Sequence, residues 1–351
     1  MITDLRLQHF RSYKDASFEL SQGVNIVVGP NASGKTNLLE ALLVLCRGSS
    51  YRAKDMELVQ FNKTWARLDA DLARGGHRTV KLVTEPAPAK TYELEGKNYK
   101  RLTLPHTLPV VLFEPNHLLI LSGGPDRRRD YLDDLLEQTV TGYGTLRRHY
   151  KRALAQRNRL LKQGSHQMVA QIFPWDVRLS QLAGQIVRAR TELVTRIARE
   201  FPHTYRQVSR TKTKVELAYE HRWPVESYET KLLHELEKTL TLDQARGFTG
   251  AGPHREDLSI RFDGHPAQEA ASRGESRTAV LALKISELKL IETAREITPL
   301  LLLDDVFSEL DGKRRHALTD HLKGHQTFIT TTDADLVLQS FTEHANIIAL
   351  A

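Results

Sequence analysis

Val24-Asn25-Ile26-Val27-Val28-Gly29-Pro30-Asn31-Ala32-Ser33-Gly34-Lys35-Thr36-Asn37-Leu38-Leu39 decides the fold of this chain. A short apolar run ends at a glycine. A loop follows, and then Leu38, Leu39, Leu42, Leu43 and Leu45 recur at a helical period. The loop fits G-x-x-x-x-G-K-[ST], and its context of strand before and helix after is the required one. Glycine lets the backbone come close to an anion. Loop N–H groups and the helix N-terminus then favour phosphate. Lys35 is expected on the β- and γ-phosphates, and the Thr36 hydroxyl on Mg²⁺. ATP is therefore expected against Gly29, Pro30, Asn31, Ala32, Ser33, Gly34, Lys35 and Thr36.

The acidic half of such a site lies far downstream. Pro299-Leu300-Leu301-Leu302-Leu303-Asp304-Asp305 is an apolar strand that delivers two carboxylates at its C-terminal end. Ligands of open α/β sheets bind at that edge. Asp304 is expected to hold Mg²⁺, directly or through water. Asp305 is expected to polarise the water that attacks the γ-phosphate, which makes Asp305 and Lys35 the catalytic candidates.

Two further segments resemble motifs of ABC-type ATPases. Ser308-Glu309-Leu310-Asp311 stands where the D-loop stands, although Asp311 also reads as a plain helix N-cap. Ala271-Ser272-Arg273-Gly274-Glu275-Ser276 ends 28 residues before Asp304 and precedes a helix. It resembles the ABC signature, departing from the usual form at Arg273 and Glu275. An ordinary Ser-capped helix is the plainer reading. The order of P-loop, signature and acidic strand implies a nucleotide held between two subunits. Ser272, Arg273, Gly274 and Glu275 then act on the other subunit's ATP. With one P-loop in the chain, a homodimer with two ATP sites is expected.

The chain has 351 residues, 40% of them hydrophobic and 26% charged, ordinary values for a globular protein. No apolar run approaches the ~20 residues that span a bilayer. The start of the chain lacks an apolar signal region. A single cysteine, Cys46, excludes an internal disulfide framework and a multi-cysteine zinc site. These features point to the cytoplasm and away from membranes. The net charge of +7 is unevenly placed. Residues 119–244 hold 22 Lys+Arg and 15 Asp+Glu, and the rest of the chain holds 28 of each. A basic segment of this kind points to a polyanionic partner.

Strand-like runs at Leu5–Phe10, Val24–Val28, Ala66–Leu72, Thr79–Thr84 and Pro109–Phe113 make the first third sheet-rich, with a hairpin at Gly75-Gly76. From Pro125 to about Leu240 the pattern is mostly helical, with a long helix expected after Pro174. Short strands return near Val215–Tyr219 and Leu258–Phe262. A helix from Thr278 to about Ala294, a strand at Leu300–Leu303, a helix from about Lys313 and a strand at Thr327–Thr331 complete the alternation of a parallel sheet covered by helices. The expected fold is α/β, an ABC-type P-loop ATPase head with mixed sheet and helices. Residues 1–118 and 245–351 form the head. An inserted, mostly helical basic lobe without long coiled coil occupies 119–244.

Beyond these shared motifs the chain resembles the RecF family, bacterial recombination mediators related to SMC proteins. The resemblance runs over nearly the whole chain. It begins at Phe10-Arg11-Ser12-Tyr13 and continues through Gly29 to Ala41, where Asn31 and Asn37 are characteristic. Gly123 to Asp133, Gln156-Arg157-Asn158-Arg159-Leu160-Leu161-Lys162 and Gly252-Pro253-His254-Arg255-Glu256-Asp257-Leu258 match three more specific stretches. The resemblance implies an ATP-dependent DNA-binding dimer with slow, switch-like hydrolysis. It implies recognition of gapped DNA or single-strand/double-strand junctions, and loading of RecA together with RecO and RecR. It also places Thr332 where many ABC ATPases carry a switch histidine, and Arg11 near phosphate or adenine, though a solvated surface arginine is as simple a reading. Asn116 and His117 stand where the family usually has acidic residues, so no Q-loop residue is assigned.

Between Glu137 and Asp176 no acidic residue occurs, whereas Arg147, Arg148, Lys151, Arg152, Arg157, Arg159 and Lys162 do. On a helix Arg148, Lys151, Arg152, Arg159 and Lys162 share one side and could follow a DNA backbone. A solvated helix face is the alternative. Arg52, within Tyr51-Arg52-Ala53-Lys54, is a second DNA-facing candidate. The main rival function is the nucleotide-binding subunit of an ABC transporter. The 269-residue separation of Lys35 from Asp304 and the basic insertion disfavour it.

Overall fold

A computed structural model of the chain describes residues 1–163, 168–209, 211–338, 341 and 345–350. The chain divides into two compact units, residues 1–117 with 287–351, and residues 118–286.

The first unit opens with β1 (Ile2–Phe10), β2 (Tyr13–Glu19), β3 (Val24–Val28), α1 (Lys35–Arg47), β4 (Trp65–Leu72), β5 (His77–Val83), β6 (Ala89–Leu94), β7 (Lys97–Tyr99) and β8 (Val110–Phe113). The second unit contributes α2 (Leu119–Ser122), α3 (Pro125–Thr139), α4 (Tyr143–Gln163), α5 (Met168–Ser209), β9 (Val215–Glu220), α6 (Tyr228–Lys238), α7 (Leu240–Arg246), β10 (Asp257–Phe262), β11 (His265–Pro266), α8 (Ala267–Ala270) and α9 (Arg273–Arg295), whose last turns belong to the first unit. The first unit then resumes with β12 (Leu300–Asp304), α10 (Val306–Glu309), α11 (Gly312–Leu322), β13 (Thr327–Thr331), α12 (Ala334–Leu338) and β14 (Asn346–Ala349).

The expected mixed sheet of the head is realised as two sheets. One is antiparallel, in the order β2-β1-β4-β5-β6-β7. The other is wholly parallel, in the order β14-β3-β13-β12-β8. α1 touches strands of both, and every residue from Leu38 to Cys46 is buried. A helix apolar all round belongs inside a core rather than on a surface. Leu39, Leu42 and Leu45 of α1 join Leu5 and Leu7 of β1, Leu68 of β4, Val27 of β3 and Leu302 of β12 in a single cluster. Each buried leucine stabilises by roughly 1.5–3 kcal/mol. The core therefore fixes α1, and with it the loop at its N-terminus. The exception in that run is Glu40, fully buried yet charged.

The second unit ends later than expected, at Ser286 rather than 244. β10 pairs with β9 along its whole length, and Asp257 takes two hydrogen bonds from the Arg128 guanidinium, both at 2.7 Å. Residues 245–286 are thereby tied to the helical unit. α5 also differs from expectation. It starts before Pro174 and encloses both Pro174 and Pro202. An interior proline costs a helix about 3 kcal/mol. Burial of Leu179, Leu182, Ile186, Val187, Leu193, Val194 and Ile197 along one face offsets that cost.

The second unit is also held by buried charge. Arg157 is wholly buried and donates to Asp176 at 2.5 Å, Asp243 at 2.7 Å and Thr249 at 2.9 Å. Arg190 donates to Asp133, to the Tyr219 hydroxyl and to the Pro253 carbonyl. The Glu256 carboxylate accepts from Tyr219 and Tyr228. Burial pushes His254 down to about 4, so the ring is neutral. Its Nε2 donates to the Thr249 carbonyl and its Nδ1 accepts from Tyr150.

Removing one partner of a buried ion pair strands the other charge, at a cost of about 3–5 kcal/mol. Arg157→Ala should lower unfolding stability by that amount in a denaturant titration. Arg159→Ala, two residues along the same helix but exposed, should change it by no more than about 0.5 kcal/mol. Equal effects of the two would refute the assignment.

Candidate active site

In the parallel sheet β13 lies between β3, which leads into the phosphate-binding loop, and β12, which carries the acidic pair. The C-terminal ends of all three strands meet at one edge. There the Thr36 hydroxyl donates to Asp304 Oδ1 at 3.0 Å, and the Thr330 hydroxyl at the end of β13 donates to the same oxygen at 2.7 Å. Thr330 Oγ1 in turn accepts from the Asp305 N–H at 2.9 Å. One chain of hydrogen bonds thus ties α1, β12 and β13 together.

The loop is shaped by its glycines. Gly34 has φ 103°, and a Cβ there would lie 2.9 Å from Ser12 Oγ and 3.0 Å from Tyr13 Oη. At Gly29 a Cβ would meet the Leu350 carbonyl and Ser33 Oγ, each at 2.6 Å. Lys35 Nζ donates to the Gly29 and Pro30 carbonyls at 2.7 and 2.8 Å, folded over the loop it belongs to. Tyr13 donates to the Gly34 carbonyl, and burial pushes its phenol up to about 12.

Asn31, Ala32, Gly34, Lys35, Thr36, Asn37, Arg52, Asp304, Asp305 and Thr330 line a cleft of about 270 Å³. Asp304 is 8% exposed, and the neighbouring Asp305 is exposed with φ 51°, a left-handed conformation unusual for aspartate. Strain of that kind costs about 1–3 kcal/mol and gathers at functional sites. A hydroxyl and a carboxylate oxygen 3.0 Å apart suit a magnesium ion, which prefers a few oxygen ligands and keeps several waters. Thr36 and Asp304 would hold it. Ser33 Oγ is buried and has no hydrogen-bond partner among the described residues.

Other expected site residues lie elsewhere or are already engaged. Arg11 donates twice to Glu40, at 2.8 and 2.9 Å, and once to the Glu57 carbonyl. Arg52, read from sequence as DNA-facing, lines the same cleft and donates to Glu40 and Asn37. Ser272 and Glu275 form a reciprocal capping box at the start of α9. The Glu275 carboxylate accepts from the Ser272 N–H and hydroxyl, and the Glu275 N–H donates back to Ser272 Oγ. Ser272 and Arg273 are exposed, while Gly274 is half-buried. These four residues belong to the second unit, and the P-loop to the first. Asp311 N-caps α11 and pairs with Arg314. Thr332 is exposed and does not line the cleft; Thr330, two residues earlier, does.

Of the basic interval, Arg157 is internal, and Arg147 is paired with Asp130 and Glu137 of α3. Arg148, Lys151, Arg152, Arg159 and Lys162 are exposed, and they fall within an arc of about 100° on α4. Tyr143, Tyr150, Ala153, Arg157 and Leu161 form the buried face opposite. Sequence reasoning missed Glu40 and Thr330, and it read Tyr51, whose hydroxyl approaches Asp304 at 3.5 Å, only as part of a DNA-facing segment. Only the Thr330-Thr331-Thr332 run at the end of a parallel strand could have signalled Thr330.

Gly34→Ala forces a side chain into a left-handed backbone and against Ser12 and Tyr13. It should cost more than about 1 kcal/mol of stability and lower the thermal midpoint measurably. An unchanged midpoint would show that the loop geometry is wrong.

The family model described as the RecF/RecN/SMC N-terminal domain matches residues 1–349. The DNA replication and repair protein RecF of Heliobacterium modesticaldum is 36% identical over 343 residues, covering 94% of this chain and 92% of the relative. That of Acidothermus cellulolyticus is 35% identical over 350 residues, covering 95% and 94%. The solved structure of the recombination mediator protein RecF-ATPrS in the RecFOR pathway superposes with a TM-score of 0.88 at 30% identity, over 99% of this chain and 96% of that one. An SMC head bound to the winged-helix domain of ScpA shares the fold, with a TM-score of 0.54 at 16% identity. The chain belongs to the RecF family of SMC-type ATPases.

Proposed function

We propose that the chain is an ATP-switched DNA-binding recombination mediator that acts in DNA repair and in the repair of replication gaps. The observation that carries this reading is the hydrogen-bonded chain Thr36–Asp304–Thr330 beside Lys35 at a sheet edge, an arrangement suited to magnesium and a triphosphate. The RecF relatives supply the biological setting.

The proposed chemistry is ATP hydrolysis. Loop N–H groups and Lys35 bind the β- and γ-phosphates. Thr36 and Asp304 would hold magnesium, which would offset phosphate charge when bound. Asp305 orients a water and takes its proton as the water oxygen bonds to the γ-phosphorus. The bond to the bridging oxygen breaks, and ADP and phosphate leave. Ser272 and Arg273, exposed at the N-terminus of α9, meet the γ-phosphate held by a second copy, and the helix dipole assists. ATP therefore closes a homodimer, and slow hydrolysis opens it. Asp311 is the proposed D-loop residue, and Thr332 the proposed switch residue at the γ-phosphate.

DNA is the proposed partner of the second unit. The stripe of Arg148, Lys151, Arg152, Arg159 and Lys162 follows phosphates without reading bases. Gapped DNA or a junction between single and double strands is the proposed target, with RecO and RecR assisting and RecA as the protein loaded. No described helix is long and apolar enough to cross a membrane, and the cytoplasm is the proposed location.

Lys35→Met should abolish ATP binding. Asp305→Asn should keep binding and slow turnover at least about a hundredfold. Normal hydrolysis by either variant would refute the site. Neutralising Lys151, Arg152 and Arg159 together should weaken DNA binding and reduce the slope of log affinity against log salt by up to about 0.9 per lost phosphate contact. An unchanged slope would remove α4 from the DNA interface.

A further inference from the structure

The segment between α7 and β10 is mounted on α4. Gly247, at φ 72°, ends α7, and its N–H donates to the Asp243 carbonyl at 2.8 Å. The Phe248 N–H donates to the same carbonyl at 3.2 Å. Asn158 Oδ1 on α4 accepts from the Thr249 N–H at 2.9 Å and from the Thr249 hydroxyl at 2.7 Å. The Gly250 N–H donates to Asp243 Oδ1 at 3.0 Å. Further along, Tyr150 of α4 donates to His254 Nδ1 at 2.7 Å, and a Cβ on Gly252 would lie 2.9 Å from that hydroxyl. The backbone on each side of Phe248 is therefore fixed from beneath, by Asp243 and Asn158.

The Phe248 ring is left outside, 40% exposed. One exposed phenylalanine is ordinary on a protein surface. This one is set among cations. Arg255, itself exposed, lays its guanidinium over the ring, with Cζ 4.8 Å from the centroid. Exposed Arg246 lies close by, since a Cβ on Gly250 would be 3.9 Å from its Nη1. The stem of Lys162 passes over the same turn, since a Cβ on Gly247 would be 3.5 Å from Lys162 Cγ. Among the described residues none of these three cations is paired with a carboxylate. Lys162 is also the last member of the basic stripe on α4. A flat aromatic surface thus adjoins the end of a row of positive charge, within one compact unit.

We propose that Phe248 and Arg255 form a stacking site for an unpaired base of single-stranded DNA, at the Lys162 end of the α4 stripe. This rests on the DNA reading given above. Aromatic rings and arginine planes both stack on bases, and they do so whatever the sequence because every base has a π face. A base inside a duplex has both faces covered by its neighbours and offers only its edges. From Arg148 to Lys162 the stripe runs about 21 Å along α4, and the phosphates that follow it can belong to either form of DNA. Phe248 adds affinity for the unpaired form alone, which places the single-stranded side of a junction at the C-terminal end of α4. Because the backbone beneath the ring is fixed beforehand, little ordering is lost on binding. An acidic protein surface could meet the same cations. Continuity with a stripe suited to phosphates favours DNA.

The test measures the affinity of the full chain, saturated with a non-hydrolysable ATP analogue, for an oligo(dT) strand and for a blunt-ended duplex. Phe248→Ala should weaken oligo(dT) binding about tenfold, the size of one lost base stack, and leave duplex binding unchanged. Phe248→Leu, apolar but without a π face, should lose as much, and Phe248→Trp should bind oligo(dT) at least as well as the unaltered chain. In all three the slope of log affinity against log salt should stay the same, since no phosphate contact is removed. Equal losses on both probes, a reduced slope, or full oligo(dT) affinity in Phe248→Leu would overturn the proposal. So would unchanged binding of both probes by Phe248→Ala, which would give the ring to a protein surface. Should Phe248→Ala fail to fold, Phe248→Leu and Phe248→Trp decide: the first must lose oligo(dT) affinity and the second keep it, or the proposal falls. Neutralising Lys151, Arg152 and Arg159 together separates the two readings. If that variant loses both probes while Phe248→Ala keeps oligo(dT), only the stacking site fails. If the unaltered chain binds neither probe, both fail.

Discussion

Asp304 is a nearly buried carboxylate at the end of a strand with four leucines before it. A charge in that place must be met by donors or by a cation. Thr36 and Thr330 meet it from the two neighbouring layers of the sheet edge. That requirement orders much of the first unit. β13 must lie between β3 and β12 for one oxygen to accept from both threonines. α1 must start at this edge, and its buried leucines hold it there. Lys35 and Asp305 then fall on the same cleft because each is covalently next to a member of the hydrogen-bonded chain.

The parts of this arrangement that depend on local chemistry were legible in the sequence. Gly29 to Thr36 and Leu300 to Asp305 carry their own context, with apolar runs on the correct side of each. The helix expected from Thr278, which in the structure begins earlier at Arg273, the strand pair around Gly75-Gly76 and the basic face of α4 were legible for the same reason. Contacts between residues far apart in sequence were not. Nothing in the sequence around Glu40 names its partners, because Arg11 and Arg52 reach it through tertiary packing. Arg52 and Thr332 were assigned from position alone, and the cleft contains Arg52 and Thr330 instead. Arg157 sat in a basic run without acids nearby in sequence; Asp176 and Asp243 reach it through the fold.

The second unit follows a different logic. The stretches around Arg128, Arg157 and Glu256 carry the family resemblance, and in the structure they bond to one another's surroundings inside the unit. Arg128 holds Asp257, Arg157 reaches Thr249, and Arg190 links Asp133 to the Pro253 carbonyl. Buried pairs of this kind add little net stability over apolar packing, and specificity of the fold is their best-attested use. The exposed arginines and lysines of α4 are left on the outside of that scaffold. A rigid support beneath a basic stripe suits phosphate contacts, which fix position rather than sequence.

The account treats ATP as a latch that sets when two copies hold DNA. DNA affinity measured with and without a non-hydrolysable ATP analogue, over a salt series, addresses that most directly. The account predicts tighter binding with the analogue and a steeper salt dependence, since two basic stripes would then meet one duplex. Equal affinity and equal slope in the two states would contradict it.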